Sequence, residues 1–453
     1  MQMPLKNGLV GRVNWRRGIF GGWTVGIVAF LFFLFMPDLF APLIAQIINP
    51  VLPQGSFDLV LVLGSAGIFV LMSLGLNVVV GFAGLLDLGY AAFFAIGAYS
   101  YGTANFGTSV VGDHTLKIAV WPLLLAAPVI AAMFGVILGA PTLRLRGDYL
   151  AIVTLGFGEI VPILFQNITS LGGIRLGGVE GFNGLDRPAT LNFPFITIPF
   201  TLDDSANYYY LVFALVVIAT IALTMLRKSR IGRAWVAIRE DETAAACSGV
   251  NLVTTKLIAF AIGASVSGFA GVLYAAQYGS ISPENFGFSI SITILVMVVL
   301  GGMGSIPGAI TGGLVLGLVN RLLVELPAVV QDPDSLLYPI YKSVPRLTQD
   351  INQSQSLIYG VILLLVILLR PQGLIPSAVR KRELKSESLA VVEKGGVRMV
   401  LEVPEALASN EAGLEELQEL ELVESDIIEE PIEKSANSDT PPSLGTVGGG
   451  TAQ

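Results

Sequence analysis

The chain has 453 residues, 53% of them hydrophobic and only 13% charged, with a mean hydropathy of +0.73. Soluble domains carry about 25% charge, and the 51 glycines suit closely packed membrane helices, so a soluble globular protein is excluded. The formal net charge of −8 is unevenly placed: residues 377–453 hold 7 basic and 16 acidic side chains, while the preceding 376 residues hold 19 and 18.

Apolar stretches able to cross about 30 Å of hydrocarbon fall near residues 20–48, 58–80, 84–104, 118–140, 149–168, 208–226, 257–279, 289–303, 306–325 and 356–370. The pattern predicts an all-α, polytopic membrane protein of about ten transmembrane helices. It divides into an N-terminus (1–19), a transmembrane body (20–376) and an acidic tail (377–453) expected to be disordered. The first stretch is too long for a cleavable signal peptide and lacks a small-residue cleavage site. Residues 81–89 and 301–313 are glycine-interrupted and could be re-entrant.

Lys and Arg placement sets the orientation. Alternating from an inside N-terminus, the inner segments collect Lys6, Arg12, Arg16, Arg17, Arg144, Arg146, Arg227, Lys228, Arg230, Arg233, Arg239, Lys256 and Arg370. Both termini are therefore expected on the cytoplasmic side. The outer loop 169–207 carries the glycine cluster GGIRLGGVEGFNG. The inner loop 227–256 contains an Ala-rich run from Arg233 to Cys247, followed by Gly249. That run predicts one short helix on the cytoplasmic face, ended by a glycine C-cap.

Ionisable groups inside a bilayer are costly and informative. Glu159 lies 11 residues beyond Asp148, about 16 Å along a helix and near mid-membrane. It is either a substrate-pathway group or a carboxyl hydrogen-bonded between helices. Asp87 is expected at the inner mouth of the third span, reaching water. Asn77, Tyr90, Gln277 and Tyr278 are further polar candidates for the pathway. Small residues at four-residue spacing, such as Gly263, Ser267 and Gly271 or Gly308 and Gly312, are read as helix-packing faces. The run GGMGSIPGAITGG reads as a broken helix buried in protein or lining a cavity.

Enzyme classes fare poorly. A lone cysteine, Cys247, and a lone histidine, His114, cannot make a disulfide, a thiolate cluster or an H-E-x-x-H metal site. No lysine follows a glycine, so the chain has no Walker A loop, and no G-x-S-x-G elbow occurs. No cofactor, metal or catalytic residue is expected, and no nucleic-acid partner.

Four stretches resemble the permease subunits of branched-chain and neutral amino acid ABC importers of the LivM type. They are GLNVVVGFAGLLDLGYAAFFAIGAY (75–99), LRLRGDYLAIVTLGFGEI (143–160), IGRAWVAIREDETAAACSGVN (231–251), and VLGGMGSIPGAITGG (299–313) followed by RPQGL (370–374). The resemblance implies a multi-pass subunit of a bacterial-type cell membrane, not an enzyme. It would work with two ATP-binding subunits, a second related permease and an extracytoplasmic substrate-binding protein, moving a small neutral amino acid across the lipid. The ATPase would dock on the segment from Gly232 to Gly249, with Arg233, Arg239, Glu240, Asp241 and Glu242 at or near the contact. Asp87 and Tyr90 depart from the Ser and His common in that family, which leaves urea or short-chain amides open as cargo. An ion-coupled carrier or channel is the alternative from a different class.

Overall fold

The computed structural model describes residues 59–106, 108–111, 114–116, 120–142, 148–171, 174–185, 191–192, 197–198, 205–331, 373–375, 389–394 and 397–402, with isolated positions at 33–37, 42, 360–361 and 364. The expected spans 20–48 and 356–370 and the N-terminal segment lie essentially outside these residues. The chain forms two compact units, Met1–Lys381 and Arg382–Gln453.

In the first unit the helices are α1 (Leu59–Leu76, continued by a π-helical turn over Asn77–Phe82), α2 (Ala91–Phe106), α3 (Val120–Thr142), α4 (Asp148–Asn167) and α5 (Ser205–Lys228). They continue as α6 (Arg230–Glu240), α7 (Glu242–Cys247), α8 (Leu252–Tyr278), α9 (Phe288–Gly301) and α10 (Ile306–Gln331). Six segments among the described residues are long and apolar enough to cross a bilayer: 59–82, 121–142, 149–167, 205–228, 252–278 and 283–301. α1 and α8 form the centre, and most of each is buried. A helix that is apolar all round needs this position. α1 packs on α5, α8, α9 and α10, and α8 packs on α2 and α3. α5 keeps most of its surface outward, with Ile218, Ile221 and Met225 exposed, as expected for a face turned to lipid.

Close backbone approach holds this bundle together, and the small-residue faces read from the sequence are where it occurs. A Cβ added at Gly271 would stand 2.4 Å from the Phe94 carbonyl oxygen and 2.6 Å from the Ala98 nitrogen; at Gly312 it would meet the Met297 carbonyl. Gly313 and Gly317 give α10 its contact with Val70 and Ala66 of α1. Lipid does not drive helices together, so such contacts supply the association through dispersion.

Three expectations are corrected. The third span was expected over 84–104, but its helix begins only at Ala91; residues 83–90 are non-helical. There the Asp87 side chain accepts the Gly89 amide at 2.9 Å, an Asx-type bond that competes with helix. The single helix expected over 233–247 is two, because Asp241 is extended (φ −156°, ψ 113°) and caps α7 with its own side chain. In the second unit, Leu389–Lys394 and Val397–Glu402 pair as an antiparallel hairpin, so part of the tail is structured where disorder was expected. Its signal was present: Gly395 and Gly396 between two short runs rich in Val and Leu.

The outer loop is pinned as well. Phe182–Asn183 pairs antiparallel with Ser280–Ile281, and buried Phe182 stands edge-on to Tyr99 at 5.8 Å. The glycine packing can be tested directly. Gly271→Ala should destabilise the detergent-purified protein by about 1–3 kcal/mol through overpacking. Gly156→Ala, with nothing within 4 Å of the added methyl, should be neutral or slightly stabilising in a thermal melt.

Candidate functional site

Two interruptions of transmembrane helix meet at one end of the bundle. One is the π turn 77–82 with the non-helical residues that follow it; the other is the bend Gly302–Ser305 between α9 and α10. Both leave main-chain groups without helical partners, and these must be satisfied inside the protein. Asn77, fully buried, does part of this: its Oδ1 accepts the Gly304 amide at 2.8 Å, and its Nδ2 donates to the Ser305 carbonyl at 3.4 Å. The backbones touch so closely that a Cβ on Gly81 would lie 2.6 Å from the Gly304 nitrogen. Residues 373–375 close the far side: the Leu374 and Ile375 amides donate to the Leu300 and Gly301 carbonyls at 2.8 and 2.9 Å.

α6 and α7 lie against this crossing. Gly232, Trp235 and Ile238 form the buried stripe of α6, at three-residue spacing on one face. Gly232 is needed for close approach, since a Cβ there would meet the Arg227 and Leu226 carbonyl oxygens at 2.3 and 2.5 Å. The Trp235 indole N–H donates to the Thr255 carbonyl at 2.8 Å, and its ring stacks on Phe82 at 6.5 Å between centroids. Arg239 reaches furthest. Its Nη1 donates to the Gly81 carbonyl at 2.7 Å, and its stem fills the space left by Gly84, where a Cβ would stand 2.8 Å from Cγ. Gly84 and Gly304 have φ of +71° and +75°, left-handed values that only glycine adopts without strain. A Cβ on Gly304 would stand 3.0 Å from Arg239 Nη1, so one side chain of α6 is bonded to the first interrupted helix and lies beside the second.

The remaining loop residues divide into structural and surface roles. The Asp241 carboxylate accepts the Thr243 and Ala244 amides at 2.7 and 3.0 Å, an N-cap. Glu242 pairs with buried Lys256 at 2.5 Å. Gly249, at φ +84°, ends α7. Arg233, Glu240 and the run Thr243, Ala244, Ala246, Cys247 and Ser248 are exposed. The result is an exposed patch of small residues edged by charged side chains, among them Arg233, Glu240 and Asp241.

The pathway candidates are not gathered in one place. Asp87 is buried, 2% exposed, rather than reaching water. Its Oδ2 has no hydrogen bond and borders a cavity of about 10 Å³ shared with Thr142 and Thr154. Tyr90, equally buried, donates its hydroxyl to the Gly263 carbonyl at 3.0 Å. The Glu159 Oε1 accepts the Phe288 amide at 3.0 Å, so this carboxylate caps the first residue of α9, whose own N-cap, Gly287, has no side chain. A helix N-terminus carries partial positive charge and favours an anion there. Gln277 donates to the Ser65 hydroxyl at 2.7 Å. Tyr278 receives an N–H from Arg321 at 3.4 Å and borders an outer cavity of about 40 Å³. Sequence reading missed Gly81, Phe82, Gly84 and Trp235; the apolar stripe Gly232–Trp235–Ile238 on an otherwise polar helix was the available signal.

Comparison with known proteins gives this architecture a family. The family model described as branched-chain amino acid transport system permease component matches residues 59–367. The chain is 38% identical over 335 residues to the high-affinity branched-chain amino acid transport system permease protein LivM of Salmonella typhimurium, covering 70% of each chain. It is 29% identical over 262 residues to LivH of the same organism, covering 56% of this chain and 81% of the relative. A probable LivM of Methanocaldococcus jannaschii is 27% identical over 354 residues, covering 71% and 94%. No solved structure matches. The chain belongs to the family of branched-chain amino acid transport permeases. It is thus a multi-pass cell-membrane permease of the importer class.

The crossing makes a definite prediction. Asn77→Ala leaves the buried Gly304 amide without its acceptor, which costs about 1–3 kcal/mol. The purified variant should melt several degrees lower, and an unchanged melting temperature would show that the crossing is held by other contacts.

Proposed function

We propose that this chain is one of two permease subunits of an ATP-driven importer for branched-chain or other neutral amino acids, with no catalytic activity of its own. The cargo is inferred from the relatives' names. A second, related permease completes the passage, two ATP-binding subunits dock on the cytoplasmic face, and an extracytoplasmic binding protein delivers the cargo. The observation that carries this reading is the bond of Arg239 to Gly81, with its Nη1 standing 3.0 Å from where a Cβ on Gly304 would lie. It ties the exposed face of α6 and α7 to the first interrupted helix and sets it beside the second.

The work divides between two surfaces. The exposed patch around Glu240 and Thr243–Ser248 receives the ATPase, and Arg239 passes its movement to the crossing. Small residues let a partner approach closely, while Arg233 and Glu240 set its register, since rim charges steer more than they bind. The cavities beside Asp87 and Tyr278, about 10 and 40 Å³, fall well below the roughly 300 Å³ at which ligand pockets begin, so these candidates line no cargo site by themselves, in keeping with a passage that a second permease completes.

Cys247, the only cysteine in the chain, provides the test. In inside-out vesicles holding this chain alone, a bulky maleimide should label it readily. Co-assembly with the ATP-binding subunits should slow labelling at least tenfold, and equal labelling in both preparations would place the docking surface elsewhere. The two roles also separate by mutation. Arg239→Gln should retain co-purifying ATPase yet lose most ATP-driven uptake in proteoliposomes, whereas wild-type uptake would remove Arg239 from the coupling route.

A further inference from the structure

A groove of about 490 Å³ lies between the end of α5 and the first turns of α10, and neither the fold nor the proposed transport cycle uses it. We propose that it binds an anionic phospholipid of the inner leaflet. Its chemistry changes with depth in the manner of such a lipid. At the rim stand Arg227 and Lys228, in the last turn of α5 and just ahead of the cytoplasmic helices. Among the described residues neither cation pairs with a carboxylate; Arg227 is held over the Phe82 ring, 5.5 Å from its centroid. A part-buried guanidinium without an anion is unfavourable, and the groove is open for one.

One to two turns deeper are Thr220 and Thr224. The Thr224 hydroxyl donates to the Thr220 carbonyl at 2.6 Å, while the buried Thr220 hydroxyl oxygen has no hydrogen-bond partner. Seven residues of helix separate Thr220 from Arg227, about 10 Å. That is a suitable offset between a phosphate at the rim and an ester carbonyl at the depth of Thr220, whose hydroxyl, enclosed here, would turn into the groove to donate. Ile306, Pro307 and Ile310 form the apolar wall, fit for an acyl chain, and the start of α10 adds partial positive charge near the headgroup. A free phosphate ion would use the cations but neither the lone hydroxyl nor the apolar wall, so the three features together favour the lipid. Basic pockets between helices on the cytoplasmic side are suited to anionic headgroups.

The test uses the full chain, delipidated in a neutral detergent and titrated with phosphatidylglycerol or phosphatidylcholine, with bound lipid counted by native mass spectrometry. Phosphatidylglycerol should bind at least tenfold more tightly than phosphatidylcholine. Arg227→Gln with Lys228→Gln should abolish that preference. Lys228→Gln alone, at an exposed position where folding is not at risk, should reduce it severalfold, and Thr220→Val should weaken binding of both lipids. Equal retention of the two lipids, an unaltered preference in the double variant, or displacement by millimolar inorganic phosphate would overturn the proposal. So would the absence of lipid from an assembled transporter whose second permease covers the groove.

Discussion

A broken helix inside a membrane must find partners for the main-chain groups it frees, because no water is there to take them. That requirement organises this protein. The interruptions after α1 and between α9 and α10 are placed against each other so that each serves the other: Asn77 from the first satisfies the bend of the second. The same logic recurs at helix starts. The α2 amide of Ala91 is met at 3.0 Å by Ser291 of α9, and the first amide of α9 is met by Glu159 of α4. Ends that would be capped locally in a soluble protein are capped here from a neighbouring helix. The glycines follow from this, since backbones can serve one another only if they approach within contact distance.

This dependence also explains which parts were legible in the sequence. Long apolar runs reveal spans because they answer to the bilayer, a constraint each segment meets by itself. The bend at 302–305 could be read because four glycines and a proline cannot sustain a lipid-exposed helix. The late start of α2 could not, since it turns on Asp87 bonding to Gly89 and on the fit of Gly89 against Thr154, whose carbonyl oxygen would lie 2.0 Å from an added Cβ. The reach of Arg239 to Gly81 spans 158 residues of sequence, and that of Glu159 to Phe288 spans 129. No local pattern carries such pairings. Glu159 shows the difference well: its depth was evident from counting residues, but its work as a cap depends on where α9 begins.

Asp87 looked like an interfacial group because it falls near the inner mouth of the expected third span, and interfacial carboxylates usually find water. The surrounding helices overrule this. Gly89 and Gly158 allow α4 to close over the segment, leaving Asp87 beside a cavity with room for about one water molecule. A polar side chain enclosed so tightly is unsuited to passing an amino acid, whatever its charge. In the proposed transporter the polar residues of this segment therefore shape the interrupted helices, and contact with cargo falls to surfaces that a second permease would complete.

The arrangement around Arg239 has a mechanical consequence for that transporter. The bundle beyond the crossing is packed backbone to backbone at Gly75 against Gly263, Gly97 against Gly268 and Gly301 against Gly308, and cores of this density shift between discrete arrangements rather than deform gradually. Among the described residues, the directional bonds that hold the crossing include one from Arg239 to Gly81, two from Asn77 and two from residues 374–375. A charge-assisted bond contributes about 1.5–3 kcal/mol and a neutral one about 1 kcal/mol, so exchanging this small set is far easier than repacking the helices around it. Displacement applied to α6 is thus directed into the joint, where Trp235 on Phe82 and Arg239 on Gly81 grip the π turn from two sides. The π turn is the natural place for that grip, since its wider hydrogen-bond spacing is a local weakness in an otherwise regular helix.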